Sequence, residues 1–310
     1  MKVNHVTIAV LSGVIFCVIS AAFDVFVANL TQKINPVIFI IYCFFTSTII
    51  FSLTGCIKQR SAYFTKAKKN FSLLSFINAA VLLNWGGLII SLKYLEPAIV
   101  GIASVACGPA LTIVISRNFM KNTSASSKTE SVIAWTILTG VIVMLINSYI
   151  GRSGFTTTSF TERAVGILCV ICSATGTVLY TFFSKNLNNK GWSSSEILGF
   201  RNILMLALAL AYSVHNHIPL IPGKELLLTL FLVSIIGHVI PIFLVQKTIS
   251  ALDPIHVSLL LLLLPVFTLA FQLFDERIII SIESIYAVFG ITLLLTFLCF
   301  TKLTTRQGEN

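Results

Sequence analysis

Residues 13–30 read GVIFCVISAAFDVFVANL, and residues 166–183 read GILCVICSATGTVLYTFF. The two stretches carry small residues at the same places, beginning with Gly13 and Gly166. Each fills most of the ~20 residues that a helix needs to cross a bilayer. Only the first stretch contains a charged residue, Asp24. A repeated apolar helix with a carboxylate in one copy indicates a membrane protein built from two related halves.

The composition of the whole chain excludes an ordinary soluble protein. Of its 310 residues, 56% are hydrophobic and only 10% are charged, whereas a soluble domain carries about 25% charged residues. The net charge is +10, but the basic residues stand singly or in loops between apolar runs. We therefore interpret them as topology signals, and we expect the lipid bilayer, not nucleic acid, as the partner.

Ten apolar segments are each close to the length of a bilayer helix, and the connections between them are short. They lie at 6–30, 36–57, 71–92, 98–116, 131–150, 164–184, 197–214, 226–248, 255–274 and 284–301. With the N-terminus inside, fourteen Lys and Arg residues fall on the inner side and six on the outer side, and Arg201 lies within a span. This bias predicts a multi-pass protein of the inner or plasma membrane with both termini in the cytoplasm.

Matched motifs divide the ten spans into two halves of five, residues 1–155 and residues 156–310. The motif LEP at 95–97 corresponds to LDP at 252–254. Because five is an odd number, the second half enters the membrane from the opposite face. The predicted fold is an all-α membrane protein of ten transmembrane helices, arranged as two inverted five-helix repeats. Inverted repeats are typical of secondary transporters, which hold their substrate near the middle of the membrane.

A second proline follows each motif, at Pro109 and at Pro265, near the centre of a predicted helix. Proline removes a backbone hydrogen bond and kinks a helix, and Gly108 loosens the first of these helices further. The matched depth favours a hinge or cavity role for Gly108, Pro109 and Pro265. Packing irregularity is the alternative, since proline is common in membrane helices.

Three stretches carry a resemblance to a known family: LNWGGLIISLKYLEP at 83–97, GILCVICSATGTVLYTFFSKNL at 166–187, and PVFTLAFQLFDE at 265–276. With the two five-helix halves, they resemble the drug/metabolite transporter superfamily, EamA type, over nearly the whole chain. The resemblance implies a central cavity lined by both halves and transport of small organic metabolites, often outward. The family's usual glutamate after the fourth span is missing, while Glu276 holds that place in the second half, so no symmetric pair of acids is expected.

Asp24 is the first candidate for a functional residue. It lies ~9 Å along a helix centred on residue 18, within a hydrocarbon half-thickness of ~15 Å. A charge there costs at least ~2.5 kcal/mol unless it faces water or a partner. It shares one small, polar stripe with Ser20, and Thr177 lies on the matching stripe of the second half. We predict that Asp24 faces the cavity, where it binds an amine-bearing substrate or cycles a proton. The alternative is a place near the outer headgroups or against a neighbouring helix end.

His238 is the second candidate, because it lies in the middle of the eighth predicted span. Imidazole titrates near physiological pH, so a histidine at mid-depth can relay protons. The alternative is a neutral ring that donates to a backbone carbonyl freed by Pro241. If Asp24 and His238 lay within hydrogen-bond reach of each other, an intramembrane enzyme would become a third possibility.

Other polar and aromatic residues at mid-depth are candidates to line the cavity. They are Tyr42, Asn78, Asn84, Trp85, Tyr180 and Gln246. Trp is usual at membrane interfaces, so a central Trp85 packs in the bundle or lines the cavity. For the polar members, hydrogen bonding between helices is the alternative. Arg201 and Lys247 are expected to snorkel to the cytoplasmic surface, which is a structural role.

The function predicted from these features is secondary transport of a small organic metabolite, such as an amino acid or an amine, across the cytoplasmic membrane. The direction is outward, by alternating access between the two repeats, with proton or solute counter-flow as the candidate coupling. No nucleotide-binding, hydrolase or zinc motif is present, so no enzyme activity, metal or cofactor is expected. The alternative is a non-transporting membrane scaffold or partner subunit, and a homodimer is retained as a candidate assembly.

Overall fold

The computed structural model describes residues 2–59, 61–105, 108, 110, 128–152, 158–252, 254–276 and 282–307. All regular structure in these residues is helical. The helices are α1 (Lys2–Lys33), α2 (Pro36–Gln59), α3 (Ser61–Lys69), α4 (Phe71–Tyr94), α5 (97–105), α6 (Lys128–Ile150), α7 (Phe160–Asn189), α8 (Ser194–Phe200), α9 (Ile203–His215), α10 (224–251), α11 (Pro254–Leu261), α12 (Leu263–Gln272) and α13 (Ile282–Gln307).

Seven helical segments of the described residues are long and apolar enough to cross a membrane. They correspond to the first three and the fifth to eighth predicted spans, and α8 with α9 forms one of them, Ser194–His215. The apolar parts of α12 and α13 are shorter, and most of the fourth predicted span lies outside the described residues. The protein is therefore an all-helical, multi-pass membrane protein, and the count of ten spans stays a prediction.

The surface of the bundle is apolar and its interior holds polar groups. Ile57, Leu168 and Leu293 are 78%, 65% and 70% exposed, whereas Asp24 and His238 are 3% and 0% exposed. A soluble protein has the opposite distribution, because ionisable groups are then solvated at the surface. Lipid tails are the environment that suits this surface.

Helices α4 and α7 approach each other at backbone distance. A Cβ atom on Gly87 would lie 2.3 Å from the carbonyl oxygen of Cys169, and one on Gly176 would lie 2.3 Å from the amide nitrogen of Asn84. Both separations are too short for any side chain, so glycine is required in each helix. Small residues of this kind let membrane helices pack closely, and here they bring Asn84 against α7.

Several helices are interrupted near their middle. Helix α4 contains a π-helical turn at Leu82–Gly86, and α10 contains another at Ser234–Val239. Helices α8 and α9 are separated by Arg201 and Asn202, and α11 and α12 by Leu262. A π-helical turn leaves backbone groups out of the regular ladder and is often found at functional sites.

Two of the predicted hinge residues lie within the described part of the chain. Pro265 is in the first turn of α12, three residues after the interruption at Leu262, where its missing N–H costs no hydrogen bond. Gly108 is helical, and Pro109 lies outside the described residues.

Glu96 joins three segments at one end of the bundle. It lies between α4 and α5, is 1% exposed, and accepts hydrogen bonds from Gln272 Nε2 at the end of α12 and from Ser284 Oγ at 2.9 Å. The side-chain oxygen of Gln272 in turn accepts from the backbone N–H of Ala98 at 3.0 Å. Burial raises the pKa of Glu96, and the two hydrogen bonds that its carboxyl accepts oppose that rise.

We expect Gly176→Ala to lower the unfolding temperature of the detergent-solubilised protein by several degrees. The added methyl group meets the backbone of α4, which cannot move aside as a flexible side chain can, and overpacking costs about 1–3 kcal/mol. Gly290→Ala in α13 is the matched control, since no atom lies within 4 Å of the added carbon. Equal unfolding temperatures for both variants would contradict the close approach of α4 and α7.

We also expect the stability of the protein to depend on pH through Glu96. Because its folded pKa is raised, its contribution is fully present below the ordinary glutamate pKa of about 4.3 and is lost as the pH rises through the raised value. Glu96→Gln should flatten this decline of the unfolding temperature with rising pH. Glu276→Gln, which changes an exposed glutamate, should keep it; a decline of the same steepness in both variants would rule out Glu96 as its source.

Candidate functional site

A cavity of about 90 Å³ lies inside the bundle, enclosed by α1, α4, α5, α7, the interruption between α8 and α9, α10, α11 and α12. This volume is several times the ~10–15 Å³ that one water molecule requires. Its wall is mostly apolar, with eight polar or charged side chains: Ser20, Asp24, Asn84, Ser104, Thr177, Tyr180, Thr181 and Arg201. An apolar pocket with a few convergent polar groups is the usual form of a small-molecule site.

A larger space of about 1160 Å³ lies between α6 and α13. Trp135 and Tyr286 on its walls are 56% and 73% exposed, so it is an open groove on the lipid-facing surface. The smaller cavity is the candidate functional site, because the buried charged groups converge there and not in the groove.

The structure places six of the predicted site residues on the wall of the smaller cavity. They are Ser20, Asp24, Asn84, Trp85, Thr177 and Tyr180. Tyr42, Asn78, His238 and Gln246 are not on this wall. The cavity also contains Arg201, which the sequence analysis assigned to the membrane surface.

Asp24 lies on the cavity face of α1 and is 3% exposed. Within the described part of the chain its carboxyl group has no hydrogen bond and no ion pair. The Oγ atom of Ser20, one turn earlier on the same helix, is also buried without a partner there. Helix α1 therefore presents two polar groups to the cavity that are not used to hold other helices.

Asn84 also lines the cavity, in the π-helical turn of α4. Its side-chain oxygen accepts hydrogen bonds from Ser173 Oγ at 3.3 Å and from Thr177 Oγ1 at 3.1 Å, both on α7. The neighbouring Trp85 lines the same cavity and is 9% exposed. The close approach of α4 and α7 thus fixes Asn84 in position, and its NH₂ group remains able to donate to a ligand.

Arg201 lies at the interruption between α8 and α9 and is 1% exposed, so it does not snorkel to the surface as expected. Its guanidinium carbon lies 4.6 Å from the ring centre of Tyr180, an arrangement that gives a cation–π attraction. Its Nε and Nη2 atoms have no hydrogen-bond partner among the described residues. A buried guanidinium with two unused donors is able to bind an anionic group.

Asn78 holds the interruption that carries Arg201. Its NH₂ group donates to the carbonyl oxygen of Phe200 at 2.8 Å, and its side-chain oxygen accepts from the backbone N–H of Leu204 at 3.0 Å. Asn202 adds a bond from its NH₂ group to Ser47 Oγ at 2.9 Å. Asn78, predicted as a cavity residue, thus has a positioning role one layer behind the wall.

Gln246 also lies behind the wall and is 0% exposed. Its side-chain oxygen accepts hydrogen bonds from the hydroxyl groups of Tyr180 and of Ser184, the latter at 3.0 Å. These contacts fix the Tyr180 ring that Arg201 approaches to 4.6 Å. Tyr42 lies elsewhere, where its hydroxyl donates to the carbonyl oxygen of Leu220 at 3.1 Å.

His238 is enclosed by aromatic rings next to the cavity. The ring centres of Trp85 and Phe44 lie 4.6 and 4.7 Å from that of His238, and Phe23 lies at 6.4 Å. Neither ring nitrogen has a hydrogen-bond partner among the described residues, so no bond to a backbone carbonyl or to Asp24 is present there. Phe23 and Trp85 also line the cavity wall, whereas His238 does not.

Within the described part of the chain, no group of three or more His, Cys, Asp and Glu residues could hold a metal ion. On the cavity wall, Asp24, Asn84 and Arg201 offer recognition of a ligand by hydrogen bonds and charge.

Comparison with known proteins assigns a family to this architecture. Residues 164–301 match the sequence profile of the EamA-like transporter family. This segment, in the second half of the chain, is EamA-like. This confirms the resemblance to the drug/metabolite transporter superfamily, and the matched segment includes Thr177, Tyr180 and Arg201 of the cavity.

A solved structure described as "Crystal structure of protein" has the same fold, with a TM-score of 0.60 and 17% sequence identity. The similarity covers 97% of this chain and 98% of that chain, so the likeness in fold extends beyond the matched EamA-like segment. No curated protein matches the chain by sequence.

We expect Asn78→Ala to destabilise the protein and to disturb Arg201. The variant leaves the carbonyl of Phe200 and the N–H of Leu204 without their partner, and an unsatisfied buried group costs about 1–3 kcal/mol. Ser75→Ala, one turn earlier on α4, is the control, because the Ser75 hydroxyl bonds only to its own helix at Phe71. Thermal unfolding in detergent measures the difference, and equal loss in the two variants would contradict the positioning role.

Proposed function

We propose that the protein is a secondary transporter that moves a small organic metabolite out of the cell across the cytoplasmic membrane, by alternating access between two inverted repeats. The observation that carries the proposal is the internal cavity in a lipid-embedded bundle, where Asp24 and Arg201 are buried without an ion pair between them. A charged side chain inside a membrane-embedded bundle costs free energy and usually belongs to a substrate or ion pathway. The EamA-like transporter domain supports the same function.

The packing of the helices supports the two repeats, residues 1–155 and 156–310. Helix α1, the first span of one half, packs on α10, the third span of the other half. Helix α7, the first span of the second half, packs on α4, the third span of the first half. In each case the first span of one half packs on the third span of the other half, as a two-fold relation between the halves requires. This packing puts α1, α4, α7 and α10 around the cavity.

The register of the two π-helical turns supports the same relation. The shift of 153 residues that aligns Gly13 with Gly166 moves Leu82–Gly86 onto 235–239, and the second turn is at Ser234–Val239. After the π-helical turn, the first half continues from Gly86 to the extended residue Leu95, and the second half continues from Val239 to the extended residue Leu252. This part of the second half is four residues longer. Four residues are about one helical turn, so the same helix face is kept.

Two side-chain contacts at the ends of the helices also correspond. In the first half, Gln32 Nε2 donates to the carbonyl oxygen of Lys93 at 2.6 Å. In the second half, Lys185 occupies the position of Gln32 and donates to the carbonyl oxygens of Ser250 and Leu252 at 3.4 and 3.1 Å. With both termini in the cytoplasm, the first contact is outside and the second is inside. Each joins the first and third spans of its half, and we propose that they hold the two entrances closed.

A non-transporting scaffold or partner subunit is the second candidate. Such a protein would use its polar faces for contacts between helices, as Asn78 and Gln246 do here. Asp24, Ser20 and Arg201 instead line the cavity, and Ser20 Oγ and two donors of Arg201 have no hydrogen-bond partner among the described residues. This difference favours transport, with proton or solute counter-flow as the source of energy.

Asp24→Asn should reduce the rate of solute uptake into proteoliposomes by about 10- to 100-fold, the amount expected for one lost charge-assisted hydrogen bond. Radiolabelled amines and amino acids, with and without a pH gradient, are the test solutes. Glu276→Gln removes the same charge at an exposed position and should leave the rate unchanged. Unchanged transport and unchanged pH dependence in Asp24→Asn would remove Asp24 from the mechanism.

A further inference from the structure

We propose that the cavity binds a dipolar solute, with its carboxylate on Arg201 and its cationic group on Asp24. This inference rests on the proposed transport function and names the chemical class of the substrate. It assigns to Arg201 a binding role that the family resemblance does not supply.

Arg201 provides the anion-binding end of the site. Its guanidinium group is on the cavity wall, is almost completely buried, and keeps Nε and Nη2 without hydrogen-bond partners among the described residues. The contact with Tyr180 places the guanidinium carbon 4.6 Å from the ring centre, and the two donors without partners, Nε and Nη2, lie on one edge of the guanidinium group. Two N–H groups on one edge match the two oxygens of a carboxylate.

Asp24 provides the cation-binding end. Among the described residues that line the cavity, it is the only acidic one and Arg201 is the only basic one. The two side chains do not form an ion pair, which would bring their nitrogen and oxygen atoms within 4.0 Å. Both charges thus remain available to a ligand that carries the opposite charges.

The balance of basic and acidic groups favours a carboxylate over a phosphate. Among the described residues that line the cavity, one side chain is basic and one is acidic. A solute with one carboxylate and one ammonium group neutralises both, whereas a phosphate dianion would leave an excess negative charge in a medium that solvates charge poorly. The volume of about 90 Å³ also favours a small solute.

The depths of the two residues favour a solute that is held between them. Asp24 lies about four residues past the middle of Thr7–Lys33, and Arg201 lies about three to four residues before the middle of Ser194–His215. In the proposed ten-span arrangement the two helices run in the same direction. At 1.5 Å per residue the two backbones differ in depth by ~11 Å, and the two side chains and the solute fill that distance.

The experiment compares three solutes of similar size with the purified full-length protein: alanine, which carries both charges, ethylamine, which carries only the cation, and propionate, which carries only the carboxylate. Binding is measured by the increase in unfolding temperature in detergent, and transport by uptake into proteoliposomes. We expect alanine to bind at least about tenfold more tightly than either singly charged solute, because each of those leaves one buried charge unpaired. The longer β-alanine and γ-aminobutyrate measure the distance between the two charges.

Variants at the two ends should change the preference in opposite directions. Arg201→Gln should weaken alanine binding by about 10- to 100-fold and leave ethylamine binding nearly unchanged. Asp24→Asn should weaken alanine binding and leave propionate binding nearly unchanged. Lys247→Gln removes the same charge as Arg201→Gln from an exposed residue on α10 and should leave all three affinities unchanged. If Arg201 had only a structural role, Arg201→Gln would weaken the binding of all three solutes together.

Equal affinity of the wild-type protein for alanine, ethylamine and propionate would overturn the inference, whatever the variants do. Equal losses of alanine and ethylamine binding in Arg201→Gln would also overturn it. If Arg201→Gln does not fold, Arg201→Lys keeps the charge but lacks the planar pair of donors, and it should lower the preference for alanine over ethylamine. Binding of alanine without uptake of any solute would instead contradict the proposed transport function and leave the dipolar site in place.

Discussion

The hydrocarbon core of a membrane offers no water to satisfy a polar group, and this constraint governs the whole structure. Backbone amides satisfy one another within helices, and the side chains that face the lipid are apolar. Polar side chains are left with two places, the contacts between helices and an internal cavity. Asn78 and Gln246 lie in contacts between helices, whereas Asp24 and Arg201 line the internal cavity.

The same constraint explains why the helices are irregular only where neighbours compensate. The interruption between α8 and α9 frees the carbonyl of Phe200 and the N–H of Leu204, and Asn78 supplies a partner to both. The π-helical turn of α4 lies where α7 approaches at backbone distance, and it directs Asn84 toward Ser173 and Thr177 on α7. The irregular turns therefore carry residues of the cavity wall. The packing of α4 against α7 and against α8–α9 compensates for the backbone hydrogen bonds that these turns disrupt.

Charged residues in the bundle fall into two groups with different environments. Lys66 and Glu196 form an ion pair with a distance of 2.9 Å between Nζ and Oε1, close to an end of the bundle. Asp24 and Arg201 lie deeper and are separated by a cavity. The pair at the end stabilises the contact between α3 and α8, while the separated charges keep their unused hydrogen-bonding capacity for a ligand.

The amino-acid sequence by itself determined the class of protein, the positions of seven spans and the face of α1 that bears Ser20 and Asp24. Length and hydropathy define a span, and the helical period defines a face, so both are local properties. The depth of Trp85 and the place of Thr177 on the matching stripe likewise predict cavity residues, and both line the cavity.

Only the tertiary structure decided which polar residues reach the cavity and which serve other helices. Arg201 was expected at the surface because its distance from the end of its span permits snorkelling, but the interruption after Phe200 and the ring of Tyr180 hold it inside. The feature of the sequence that could have indicated this buried position was an arginine within an apolar span. Asn78 and His238 looked like cavity residues because polarity and depth do not specify a partner. Their neighbours come from helices more than a hundred residues away in the sequence, and only the packing of the bundle brings them together.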